Sequence, residues 1–125
     1  MDFVEIARFE GALERFGERF AERILSPGEL VEFRNSSSQA RMLAKRFAAK
    51  EAVAKALGTG MGDNASPSEI EVKNDDNGKP FIVLSGSALR TFNASGAEKI
   101  DVSLSHGRDY AVAFAVITYK EGADE

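Results

Sequence analysis

Apolar residues recur at helical spacing from Ile6 to Leu25, where Phe9, Leu13, Phe16, Phe20 and Ile24 fall on one side of a continuous helix. On the same wheel Arg8, Arg15, Arg19 and Arg23 form a basic column, and Glu10, Glu14, Glu18 and Glu22 a separate acidic one. Gly17 is a poor interior helix residue and marks where the segment would divide, moving Arg8 out of line with the others. Ser26-Pro27-Gly28-Glu29 predicts a short helix: a serine cap, a proline at the first helical position and a glutamate at the third dispose of amide groups that would otherwise be orphaned. After the loop Asn35 to Ser38, the stretch Gln39 to Leu57 predicts the strongest helix. It is rich in Ala, Lys, Arg and Leu and stops at Gly58.

Beyond the polar, glycine-rich loop Thr59 to Asn64 the period changes to two. Ile70 and Val72, then Phe81 and Val83, flank Asp75-Asp76-Asn77-Gly78, which predicts an antiparallel hairpin. A short helix over Ser87 to Ser95 precedes two strands, Ile100 to His106 and Tyr110 to Tyr119, joined at Gly107-Arg108-Asp109. In the last strand Tyr110, Val112, Phe114 and Val116 face one way and Ala111, Ala113 and Ala115 the other, leaving room for a helix to approach closely. The expected class is α+β, helices packed on an antiparallel sheet.

Composition bounds what such a fold can do. At 125 residues and 43% hydrophobic the chain suits one domain spanning 1–125, with 120–125 as a polar tail. No apolar run approaches a membrane span and no signal-peptide layout opens the chain, so a soluble, cytoplasmic protein without a membrane partner is expected. The absence of cysteine excludes disulfides, thiolate metal sites and thiol nucleophiles. A net charge of −4 argues against a general affinity for nucleic acid, though local basic faces remain.

Three features carry candidate chemistry. In the long helix Leu43, Phe47, Ala54 and Leu57 form a buried stripe, with Glu51 and Lys55 together at its edge. By spacing alone that pair reads as an exposed ion pair of a few tenths of a kcal/mol. Lys50 projects near the middle of the stripe, where its ammonium calls for an anion, and phosphate would serve. His106, the only histidine, shares a strand face with Val102 and Leu104 and reads on its own as a partly buried histidine bonded to a carbonyl. Asp2 on its own reads as a cap for the first helix.

Taken in order, Asp2-Phe3-Val4-Glu5-Ile6, the run Lys45-Arg46-Phe47-Ala48-Ala49-Lys50-Glu51-Ala52 through Lys55-Ala56-Leu57-Gly58-Thr59-Gly60, Asn77-Gly78-Lys79-Pro80, and Ser105-His106-Gly107-Arg108-Asp109-Tyr110-Ala111 closely resemble the holo-acyl-carrier-protein synthases over nearly the whole chain. The resemblance implies the 4'-phosphopantetheinyl transferase fold and transfer of phosphopantetheine from coenzyme A to a serine of apo acyl carrier protein, for fatty acid biosynthesis. It implies that Asp2 and Glu51 bind Mg²⁺, for which hard oxygen ligands are suited, and that Lys55 is the catalytic lysine. Arg46, Lys50, Lys79 and His106 match positions lining the coenzyme A site, and Arg8 and Arg15, with Arg19, match a helix that docks the acidic carrier. A homotrimer with active sites between subunits is also implied. Family members usually carry more strand before the aspartate, so either the start is trimmed or most of the first strand is lacking; a fraying Asp2 is expected, and with the missing strand comes the alternative of a coenzyme A-binding module without transferase activity. A purely structural interaction domain, with the charged pattern only surface, is the remaining alternative.

Overall fold

The computed structural model describes residues 1–122; the last three residues of the expected polar tail lie outside the described residues. Strand β1 (Asp2–Glu5) leads directly into helix α1 (Ile6–Phe16), then α2 (Glu18–Glu22), α3 (Pro27–Arg34) and the long α4 (Gln39–Ala56). A 3-10 turn at Pro67–Glu69 opens the hairpin β2 (Ile70–Asn74) and β3 (Pro80–Leu84). Helix α5 (Gly86–Ala94) and the strands β4 (Ala97–His106) and β5 (Tyr110–Tyr119) complete the chain. One antiparallel sheet has the order β1-β5-β4, and β2-β3 forms a second ladder.

The α+β reading holds, with helices packed against antiparallel sheet. Helix α4 lies across β5, where Ala111 and Ala113 are fully buried and present only methyl groups to it. Tyr110, Phe114 and Val116 stand on the opposite, exposed face, as the alternation predicts. One core cluster gathers Val4, Phe9, Leu25, Phe33 and Leu43. Another, around Val53, Leu57, Ile70 and Ala88, lies where α4 passes the hairpin and α5.

Local chemistry explains the boundaries. Ser26 accepts from the Glu29 amide while the Glu29 carboxylate accepts from the Ser26 amide, the reciprocal cap that the sequence indicated. Gly58, at φ 85°, ends α4 in the left-handed region that glycine adopts without strain. Gly17, at φ 64°, divides the first helical region in two, yet Phe9 still touches Phe20 and Phe47 at ring separations of 5.9 and 5.4 Å. Strand β4 begins at Ala97 instead of Ile100, because an irregularity between Ala97 and Lys99 interrupts the two-residue alternation there.

The first strand departs most from expectation. Asp2 does not cap a helix: it pairs with Ala113 of β5, and alternation turns Asp2 and Val4 inward while Phe3 and Glu5 face out. The amide of Ile6 then donates to the carbonyl of Asp109, anchoring the start of α1 to the β4-β5 turn.

Candidate active site

Asp2 on β1 faces the C-terminal half of α4, and the result is a small charged cluster. The Lys55 ammonium donates to Asp2 Oδ1 at 2.8 Å and lies 3.8 Å from Glu51 Oε1, so the lysine is bonded to the aspartate more closely than to its i,i+4 neighbour. The Lys55 side chain is 61% exposed and that of Asp2 only 2%, so the ammonium reaches in from solvent to a buried carboxylate. Asp2 Oδ2 is buried and receives no hydrogen bond. An orphaned buried acceptor costs roughly 1–3 kcal/mol, more when charged, which marks this oxygen as awaiting a cation or a proton.

The two carboxylates push each other apart. For Asp2, burial acts to raise the pKa, but the neighbouring Glu51 carboxyl and the ammonium of Lys55 outweigh it and hold the group below the usual carboxylate range. For Glu51, burial and the neighbouring Asp2 carboxylate raise the pKa against the opposing charges of Lys55 and Arg8. Lys55 is raised in turn by its bond to Asp2. Among the described residues no cluster of three or more His, Cys, Asp or Glu side chains exists that could enclose a metal by itself. Two carboxylates with an unused oxygen nevertheless fit Mg²⁺, which commonly takes its remaining ligands from water and substrate phosphate.

A basic pocket of about 210 Å³ lies toward the N-terminal half of the same helix, lined by Ser36, Ser38, Arg41, Lys45, Arg46 and Asn74, with Met42 and Leu104. His106, two residues beyond Leu104 on β4, is exposed and not partly buried as read from the sequence. Its pKa is lowered by partial desolvation and by the charges of Lys45 and Arg41. Arg46 edges the pocket, but its guanidinium is already held by the Val72 carbonyl at 2.7 Å, by Glu32 at 2.7 Å and by Glu29 at 3.4 Å. Lys79 is exposed in the hairpin turn, beside the Asn74 and Pro80 pair that borders the pocket.

Lys50 requires a correction. Its ammonium is completely buried and donates to Glu29 Oε1 at 2.7 Å, to the Pro67 carbonyl at 2.7 Å and to the Ile70 carbonyl at 2.6 Å. All three donors are used, so no phosphate can meet them. The anion that its position on the stripe demanded is internal: Glu29 binds Lys50 and Arg46 together and also accepts from the Val72 amide at 3.0 Å.

The arginines also separate. Arg15, Arg19 and Arg23 line a groove of about 460 Å³ with Phe16 and Phe20. Arg8 lies away from this grouping, over the rings of Phe9 and Phe47, where its charge acts on Glu51. Arg41 and Lys45 were not singled out from the sequence as site residues. Their four-residue spacing, which stacks two cations on one face of α4, was the available signal.

The model described as the 4'-phosphopantetheinyl transferase superfamily matches residues 1–115. The chain belongs to this family. It is 48% identical to the holo-[acyl-carrier-protein] synthase of Halorhodospira halophila over 93% of this chain and 92% of that one. It is 50% identical to the synthase of Vibrio vulnificus over 92% and 91%. Among solved structures, the synthase of Neisseria meningitidis superposes with a TM-score of 0.89 at 38% identity, covering 94% of both chains. The Helicobacter pylori synthase in complex with coenzyme A superposes at 0.82 with 33% identity, covering 94% of this chain and 96% of that one. The likeness to phosphopantetheinyl transferases therefore extends through β1, α4 and the β4-β5 hairpin, the elements that carry the carboxylate pair and the basic pocket.

Proposed function

We propose that this chain is a Mg²⁺-dependent holo-[acyl-carrier-protein] synthase, transferring 4'-phosphopantetheine from coenzyme A to a serine of apo acyl carrier protein. The observation that carries this reading is the buried Asp2 carboxylate, with one oxygen unpartnered, set beside Glu51 and under the Lys55 ammonium. Asp2 and Glu51 would hold Mg²⁺, which when bound supplies neutralisation of the pyrophosphate charge. Lys55 brings a second positive charge to the phosphate group and assists proton movement as the carrier serine loses its proton. The serine oxygen forms a bond to the β-phosphorus. The bond from that phosphorus to the bridging oxygen breaks, and adenosine 3',5'-bisphosphate leaves with the electron pair.

The basic pocket of Arg41, Lys45 and Asn74, with His106 and Lys79 at its margin and Arg46 at its edge, binds coenzyme A. Lys45 and Glu51 are six residues apart on α4, about 9 Å of helix rise, a separation that a ligand with phosphate at two places can bridge. Lys50 takes no part in that contact. The alternative of a coenzyme A-binding module without transfer drew on the missing N-terminal strand; the pairing of Asp2 with Ala113 favours transfer over it. The exposed sheet face bearing Phe3, Tyr110, Phe114 and Val116 supports assembly into a homotrimer, with active sites between subunits. No described helix is long and apolar enough to cross a membrane; the reading places the enzyme in the cytoplasm, serving fatty acid biosynthesis.

Incubation with coenzyme A, Mg²⁺ and apo carrier should add phosphopantetheine to the carrier, read by mass spectrometry. A folded sample that adds none overturns the proposal.

The groove of Arg15, Arg19 and Arg23 supplies the carrier-docking face, where cations flank the two phenylalanines and suit an acidic helix with an apolar anchor. Reversing two of these charges, Arg15→Glu with Arg19→Glu, should raise the KM for carrier by about tenfold or more and flatten its dependence on salt, leaving the KM for coenzyme A unchanged. Arg8→Ala should act differently and leave the KM for carrier nearly unchanged, since Arg8 stacks on Phe9 and Phe47 outside that groove.

A further inference from the structure

We infer that Lys55 is the resident counter-ion of the carboxylate pair and must release Asp2 when a divalent cation binds there; the inference rests on the metal reading of Asp2 and Glu51. Two lysines five residues apart on α4 are held in opposite ways. Lys50 is enclosed and makes three hydrogen bonds to fixed partners. Lys55 makes one, to Asp2 Oδ1, and its 3.8 Å approach to Glu51 is beyond hydrogen-bond range. Most of its side chain lies in solvent, so turning the ammonium away uncovers no core.

The same geometry sets up competition. A cation that uses both Asp2 oxygens would have to share Oδ1 with the ammonium 2.8 Å from it. Two positive charges at such a separation repel strongly in a partly buried site. The unpartnered Oδ2 shows that one ammonium leaves half of the buried carboxylate unsatisfied, so the lysine is an incomplete substitute for a cation that could use both oxygens. Lys55 therefore keeps the pair from standing uncompensated while no metal is bound. Once displaced, it is turned toward solvent on a flexible stem, where an incoming phosphate group meets it. Cation occupancy and the availability of the catalytic lysine are thus coupled through one hydrogen bond.

The test is Mn²⁺ affinity, read by electron paramagnetic resonance of the free ion, on the full chain without coenzyme A or carrier. Lys55→Met should bind Mn²⁺ about tenfold more tightly than wild type, as expected from losing one competing charge-assisted hydrogen bond. Lys55→Arg, which keeps a cation in place, should stay near wild type. Arg8→Gln controls for simple loss of nearby charge, because Arg8 acts on Glu51 while stacked on Phe9 and Phe47, and it should change affinity by less than about threefold. Lys55→Met binding no more tightly than Arg8→Gln overturns the inference. If neither wild type nor Lys55→Met binds Mn²⁺, or if Asp2→Asn and Glu51→Gln leave the affinity unaltered, the metal reading fails and the inference with it. Thermal melting of Lys55→Met at the wild-type temperature shows that the exposed substitution leaves the fold intact.

Discussion

Glu51→Gln is expected to lower the rate of phosphopantetheine transfer by about 10²–10³-fold, the loss typical of removing one electrostatic element from a charged transition state. Glutamine keeps the size and the hydrogen-bonding reach of glutamate, and Glu51 is only half-buried, so the melting temperature should hardly move. The variant removes one of the two carboxylates that face Lys55 and leaves Asp2 as the sole acidic group. Transfer assayed over a range of Mg²⁺ concentrations should show half-maximal activity shifted upward as well as a lower plateau. Wild-type turnover at the wild-type Mg²⁺ requirement would remove Glu51 from the chemistry. Asp2 is the less informative target, because it is buried in a strand and its loss mixes stability with catalysis.

The largest effect on stability is expected at Glu29, far from any exposed surface. Its carboxylate is 1% exposed and joins α3 to Lys50 and Arg46 of α4 and to the Val72 amide of β2. Glu29→Leu leaves two cations without their shared anion and opens the cap at Ser26. Breaking a buried pair from one side costs about 3–5 kcal/mol. For a chain of this length that is a fall in Tm on the order of 10–20 °C, measured at fixed protein concentration. Adding Lys50→Met to Glu29→Leu should recover part of the loss, because the stranded ammonium is removed with its partner. A double variant no more stable than Glu29→Leu would show that Lys50 is satisfied by the Pro67 and Ile70 carbonyls alone.

These two sites also mark where the sequence was readable and where it was not. The extent of α4, the serine-glutamate cap, the hairpin at Asp75 to Gly78 and the alanine face of β5 all follow from patterns that repeat within a few residues. Strand β1 escaped because four residues are too short to establish a period, and its pairing partner lies at the far end of the chain. For Lys50 the spacing correctly demanded an anion but could not tell an external phosphate from a carboxylate at Glu29, which looked fully employed as a helix cap. His106 failed similarly: alternation assigns a face but not whether anything covers it. Gly17 breaks the helix between Arg15 and Arg19, yet those two share a groove, while Arg8, on the same unbroken α1 as Arg15, stacks on Phe9 and Phe47 instead.

The alanines of β5 have a meaning beyond close packing. Asp2 sits opposite Ala113 across the β1-β5 ladder, whereas Glu51 and Lys55 ride on the helix that rests on Ala111 and Ala113. The methyl groups thus work as shims, fixing the gap between two halves of the site that share no covalent neighbourhood. A bulkier side chain at either position would widen that gap while leaving every charged group of the cluster intact, so the spacing of Asp2 from Glu51 and Lys55 is gauged by residues with no chemistry of their own.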